Sequence, residues 1–293
     1  MAAAGVWTLG YGASTSFADT SPKTPATLEE LGVLQAVRSR QRMGPKLLEP
    51  PRNDELGLDI AIEDRDGKSM NALHRALARA SAGEGQARLV FFGASHVASD
   101  LFTGYIRREL QARYGDAGHG FVVPVHPWRS YRHQDINIES DGDRWETHRI
   151  RVGDSEVELV GLAGVAMTSK RPGSFGAVYT AQEGEHGRTA SFFDLYYMKH
   201  PRGGDLDVLI DGRTARRIST KGPTAAAAYA TFRVPDAPHR FEIRTTSKRP
   251  VWLFGLAVER DQPGVVVDAL GINGSRARYQ LLWDPEIYQE HLR

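Results

Sequence analysis

Ser95 is the residue most able to do chemistry in this chain. It follows a short apolar run, Ala87-Arg88-Leu89-Val90-Phe91-Phe92, and the turn Gly93-Ala94, and it precedes a helical pattern from Val97 to about Tyr114. A serine hydroxyl becomes a nucleophile only when it is held exposed, relieved of its proton and supplied with donors for the developing oxyanion. A turn from a buried strand into a helix meets the first need, and the free N–H groups that open the helix point toward negative charge. A second glycine turn, Gly271-Ile272-Asn273-Gly274, follows the strand-like run Val265-Val266-Val267-Asp268-Ala269-Leu270 and can bring another bare N–H to the same edge. On these residues alone the simpler reading of Ser95 is a helix N-cap. The pattern is not Gly-x-Ser-x-Gly, because Val97 occupies the last position, so an α/β-hydrolase elbow is not implied.

The elements that must position these residues fall into four stretches. Residues 1–70 combine a signal-like start, with Ser14, Ser16 and Ala18 as small residues for cleavage but no positively charged beginning, and a proline-punctuated arm with a short helix around Leu28 to Arg40. Residues 71–139 hold a helix over Met70 to Ala82, then the strand, turn and helix around Ser95, the opening of an α/β fold. From 140 to 262 the grammar changes to short runs rich in β-branched and aromatic residues: Val157 to Val160, Ser191 to Tyr197, Leu206 to Ile210, Thr231 to Val234, Phe241 to Arg244 and Val251 to Val258. Asp211-Gly212 is a hairpin signal, since both central residues of that turn need positive φ. This stretch reads as an inserted β-sandwich. Residues 263–293 return to the parallel-strand and helical pattern, with a helix from Arg276 to Leu282 and another opened by Asp284 and Pro285.

Composition limits the partners. Lys and Arg total 37 against 36 Asp and Glu, so no global basic field recruits nucleic acid. No apolar run is long enough for a membrane span. The chain has no cysteine, which excludes disulfides and thiolate sites. Gly115, Gly118 and Gly120 have the wrong order for a dinucleotide loop, so no cofactor is implied. His119, His126 and His133 are evenly spaced, but glycines and prolines break any helix there and no carboxylate is evident beside them. We therefore expect no metal. Asp236-Ala237-Pro238-His239 reads as a turn between two strands.

The stretch LVFFGASHVASDLFTGYIRRELQARYGDAGHGFV, from Leu89 to Val122, resembles the first block of the SGNH/GDSL hydrolases, in the branch of polysaccharide and peptidoglycan O-acetylesterases. VVVDALGINGSRA resembles the second block. The resemblance implies an SGNH-type, flavodoxin-like parallel sheet, incomplete here, carrying an inserted carbohydrate-binding-like β-sandwich. It makes Ser95 the nucleophile and gives the oxyanion hole to the N–H groups of Ser95 and Gly274, with Gly271 as the alternative register. His96 and Asn273 become possible substrate contacts. An acetylated polysaccharide or peptidoglycan is the implied substrate. The signal-like start points to a secreted or periplasmic location, with a cytoplasmic one as the alternative. Two departures stand out. Ala94 occupies the family's aspartate position, and the oxyanion asparagine and final Asp-x-x-His blocks are not among the residues after Gly274, so the acid–base pair is expected outside this chain. The rival expectation is a non-catalytic carbohydrate-binding protein or an inactive esterase fragment.

Overall fold

The computed structural model describes residues 66–150 and 159–291. The signal-like start, the helix at Leu28 to Arg40, nearly all of the arm, and Val157 and Glu158 lie outside the described residues.

A helix, α1 (Asn71–Ser81), lays Leu77 and Ala80 against the first strand, β1 (Gln86–Gly93). The chain then turns through α2 (Ser95–Ala98) into α3 (Leu101–Tyr114). The helix expected from Val97 onward is broken at Asp100, which adopts a left-handed φ of 51° and starts α3 afresh. Next come β2 (Gly118–Val122), β3 (Ile136–Ser140), β4 (Glu146–Arg149), β5 (Val165–Ser169) and β6 (Phe175–Thr180). They are followed by β7 (Ala190–Lys199), β8 (Asp205–Ile210), β9 (Arg213–Ser219), β10 (Ala226–Ala237), β11 (Arg240–Thr245) and β12 (Val251–Glu259). Finally β13 (Gly264–Gly271) leads through a 3-10 turn, Ala277–Leu282, to α4 (Pro285–His291). Asp284 caps α4, its Oδ1 accepting from the N–H groups of Glu286 and Ile287 at 3.0 Å each.

Six strands form one antiparallel sheet in the order β10-β7-β12-β5-β4, with β2 also paired to β12. Five form a second antiparallel sheet, β3-β6-β11-β8-β9. Their inner faces close over Phe193, Leu195, Phe241, Ile243, Leu253 and Leu256, all essentially buried. Asp211 and Gly212, at φ 52° and 76°, make the tight turn between β8 and β9 that the dipeptide predicts. β1 and β13 pair in parallel, Gln86 with Gly264 through Gly93 with Gly271.

The structure overturns the α/β, flavodoxin-like class. The molecule is mostly β, its antiparallel sheets dominate, and among the described residues the parallel sheet has only two strands. The strand–turn–helix unit around Ser95 gives a true parallel strand, but β2 does not continue that sheet. After Gly115 the chain bonds briefly alongside β13, with Val265 N–H donating to Gly115 O at 2.8 Å, then leaves it to pair antiparallel with β12. Within the antiparallel sheets only β4–β5 and β8–β9 are consecutive strands that pair with each other. The rest of the chain passes back and forth between the two sheets, and among the described residues no α-helix lies between β2 and β13 to make the crossovers that parallel strands need.

The parallel pair is fastened to the outer face of the six-stranded sheet. Phe121, Leu162 and Leu270 share one buried cluster, with Val90, Phe92, Tyr196 and Tyr288 around it. Asp268, fully buried in β13, accepts from Phe121 N–H at 2.8 Å and from Arg88 Nη1 at 2.8 Å, while Arg88 also bonds Glu259 at the end of β12. No helix among the described residues is long and apolar enough to cross a membrane.

Candidate active site

The register of β1 and β13 ends on the pair Gly93 and Gly271, so the turns that follow both strands emerge side by side at one sheet edge. Ser95 opens α2 directly after the first of these turns, and Ser95 and His96 are exposed. Ala98 N–H donates to Ala94 O at 2.9 Å and Ser99 N–H to Ser95 O at 3.0 Å, which fixes the turn, and Ser99 Oγ donates to His96 O at 2.8 Å.

The second turn is held against the first. Ile272 N–H donates to Gly93 O at 3.0 Å. A β-carbon on Gly271 would come within 2.0 Å of Ala98 N, so α2 can lie on β13 only because that position is glycine. Ser275 N–H closes the turn onto Ile272 O at 2.9 Å, leaving Asn273 and Gly274 exposed at its tip. Gly274 takes a φ of 77°, with open space where a β-carbon would sit. Asn273 Nδ2 reaches Ser130 Oγ at 3.4 Å. Sequence-identified Ser95, His96, Asn273 and Gly274 thus lie at one exposed edge. No hydrogen bond to Ser95 Oγ or to the His96 ring occurs among the described residues.

Beneath α3 lies a buried polar cluster that sequence patterning missed. Arg107 Nη2 donates to both oxygens of Asp100, at 2.8 and 3.0 Å, and Thr103 Oγ1 donates to Oδ1 at 2.6 Å. Gln134 N–H donates to Oδ2 at 2.8 Å. His133 Nδ1 lies 3.8 Å from Asp100 Oδ2 and 3.2 Å from His119 Nε2, and His133 Nε2 meets the Tyr131 hydroxyl at 2.9 Å. Burial lowers the His133 imidazole to about 4, with Asp100 opposing and Arg107 adding to the depression. His119 is held well below the usual imidazole range, by burial first and then by Arg107 and His133. Both rings are neutral at pH 7. The spacing of Asp100, Thr103 and Arg107, at i, i+3 and i+7 on one helix face, is the sequence signal that could have revealed the cluster.

Asp100, His119 and His133 could each offer a ligand atom within 4.8 Å of one another. Both Asp100 oxygens are nevertheless taken, and a cation would face the Arg107 guanidinium. Such a contact costs roughly 4 kcal/mol per unit charge at 4 Å for an effective dielectric of about 20. The arrangement suits a bolt between α3 and the start of the sandwich better than a metal centre. His126 does not join it; both its backbone N–H and its Nδ1 contact Ser140 Oγ at 3.1 Å.

Asp236 and His239 do not pair with each other. His239 contacts Asp211 Oδ2 at 2.7 Å and Pro235 O at 2.8 Å, whereas Asp236 pairs with Arg260 at 2.5 Å. Tyr196 and Tyr197, neighbouring aromatics on β7, are both engaged. Tyr197 lies in the sandwich core, and Tyr196 packs edge-on to Phe121, Tyr229 and His291.

No family model and no curated protein matches the chain. Among solved structures it is similar to a peptidoglycan O-acetylesterase, with a TM-score of 0.52 and 22% identity, over 74% of this chain and 55% of that one. The chain therefore spans about half the length of that protein, and at this identity the likeness is one of fold. Looser similarities reach a CBM36-1 domain of a multidomain xylanase from the hindgut metagenome of Trinervitermes trinervoides (TM-score 0.27, 11% identity, 42% of this chain, 95% of that one). They also reach a family two carbohydrate esterase from Cellvibrio japonicus (TM-score 0.26, 18% identity, 43% of this chain, 34% of that one). Both are too weak to define a fold.

Proposed function

We propose that the chain carries the nucleophile side of an SGNH-type serine esterase that removes O-acetyl groups from a polysaccharide or peptidoglycan outside the cytoplasm. The observation that supports this most is the register that ends β1 and β13 together at Gly93 and Gly271, so that the Ser95 turn and the Gly274 turn share one exposed edge. The likeness to a peptidoglycan O-acetylesterase agrees with it.

In this reading Ser95 Oγ attacks the acetyl carbonyl carbon and passes its proton to a base. The N–H groups of Ser95 and Gly274 donate to the tetrahedral oxyanion, where such donors are worth several kcal/mol. The sugar hydroxyl leaves with the proton, and water then releases acetate from the acetyl-serine. His96 and Asn273 contact the sugar. With Ser95 Oγ unbonded among the described residues, the base is assigned to protein outside them. Ala94 in place of the family's aspartate, together with that open serine, favours one alternative, a carbohydrate-binding protein without catalysis.

Acetate release from acetylated polysaccharides separates the two. For protein expressed from its natural reading frame, we expect Ser95→Ala to lower kcat by about three or more orders of magnitude. No release by either protein would favour the binding role, and equal release by both would rule out Ser95 as the nucleophile.

A further inference from the structure

Four loops meet at one end of the β-sandwich: residues 170–174, 200–204, 220–225 and 246–250. Backbone bonds knit them together. Gly173 N–H donates to Thr245 O at 2.7 Å, His200 N–H to Thr220 O at 2.9 Å, Gly204 N–H to Pro250 O at 2.8 Å and Thr246 N–H to Asp205 O at 2.9 Å. Each loop contains a proline, at 172, 201, 223 and 250, which further limits its motion.

This end carries an excess of positive charge; of the carboxylates beside it, Asp205 opens β8 next to Ser247, and Asp141 is paired with Arg144. Lys170 and Arg171 project from the first loop, Lys199 and Arg202 from the edge and body of the second, Lys221 from the third, and Lys248 and Arg249 from the fourth, all exposed. None of the four loops contains an aspartate or glutamate, and none of these seven cations forms an ion pair among the described residues. The whole chain has a formal net charge of only +1, so the excess is local rather than a property of the composition. Beside it the His200 ring lies 4.6 Å from the half-buried Trp252 ring, an aromatic surface of the kind on which sugar rings stack.

The position relative to Ser95 suits a polymer. β12 runs antiparallel to β2, and the stretch before β2 runs parallel to β13, so the Val251 end of the sandwich points the same way as the carboxyl ends of β1 and β13. Ile272 Cδ1 packs against Gly164, at the foot of β5. From there the extended run to Lys170 covers about 20 Å at roughly 3.3 Å per residue.

We propose that this loop end is a docking surface for an acidic, carboxylate-bearing polysaccharide, the same chain whose acetyl esters reach Ser95. The identity of the occupant as the substrate rests on the esterase reading; the charge-based binding does not. Fixed loops present the cations without a large ordering cost, and a glycan rather than a nucleic acid or a lipid surface is favoured by the Trp252 face and by the carbohydrate reading of the site.

The test is a titration of the purified 293-residue chain with polygalacturonate, neutral dextran and double-stranded DNA. The variants are the quadruple Lys170→Gln, Arg171→Gln, Lys248→Gln, Arg249→Gln, and a control that removes four exposed cations elsewhere: Arg75→Gln, Arg79→Gln, Arg113→Gln and Arg213→Gln. We expect polygalacturonate to bind and dextran not to, about tenfold or greater weakening in the loop variant only, and loss of binding as salt nears 1 M, where the screening length is about 3 Å. Dextran bound as tightly, equal weakening in both variants, no binding of polygalacturonate, or tighter binding of DNA would each overturn the proposal. Polygalacturonate binding by this chain, with no acetate release by protein from the natural reading frame, counts against the esterase reading alone; acetate release by that protein without such binding counts against this surface alone.

Discussion

The edge that carries Ser95 depends on what glycine permits at two neighbouring positions, for different reasons. At Gly271 the constraint is contact, since a β-carbon would lie 2.0 Å from Ala98 N, a backbone atom that cannot swing away. At Gly274 the constraint is only the positive φ of 77°. Gly271→Ala should therefore destabilise the fold by about 1–3 kcal/mol through overpacking, whereas Gly274→Ala should cost about 1 kcal/mol. Urea unfolding of both variants checks the order, and a larger loss at Gly274 would contradict the packing described here. Ser95 and the Gly271–Gly274 turn were legible in the sequence because glycine, serine and a preceding apolar strand leave a compact signature. Asp100 and Arg107 were not, because a buried ion pair on a helix looks like ordinary surface charge until the opposite wall, here Gln134, His133 and Val267, is known.

Among the elements, α3 owes its seat to that buried cluster, which ties it to β2 and to the segment leading into β3. The histidines there give the attachment a pH dependence of definite sign. In the unfolded chain they titrate near 6.5, while burial holds folded His133 at about 4 and His119 well below its usual range. His291, buried beside Tyr196 and Phe254, is likewise lowered to about 4 by burial. Between about pH 6.5 and pH 4 the unfolded chain binds protons that the folded chain does not, so this stability is fully present above 6.5 and is lost as pH falls through the window. The thermal midpoint should drop from pH 7 to pH 4.5, and His133→Gln should flatten the decline. A midpoint that is flat or rises toward acid would contradict the burial of these rings. The strands around the Asp211-Gly212 turn and the long runs in β7, β11 and β12 were readable from β-branched and aromatic residues. β2, with the sequence GHGFV and every residue buried, was not, because glycine and histidine hide its strand character.

At the scale of the molecule, the parallel pair and the two antiparallel sheets are packed as neighbours through Phe121, Leu270 and the buried Asp268. The α/β expectation rests on the strand–turn–helix unit around Ser95, the strand run Val265 to Leu270 and the family resemblance, and those two strands are the only parallel pair among the described residues. The strands that follow β2 have no α-helix between them among the described residues and alternate between two sheets, so the crossovers that extend a parallel sheet are missing. The turns after β1 and β13 meet at one edge, and if Ser95 there is the nucleophile, as proposed, it must carry the acetyl group during turnover. Mass spectrometry of protein from the natural reading frame, quenched during turnover of an acetylated polysaccharide, tests it most directly. One acetyl group on the peptide containing Ser95, absent from Ser95→Ala, is the expected result; acetate release with no acetylated Ser95 peptide, and undiminished in Ser95→Ala, would contradict it.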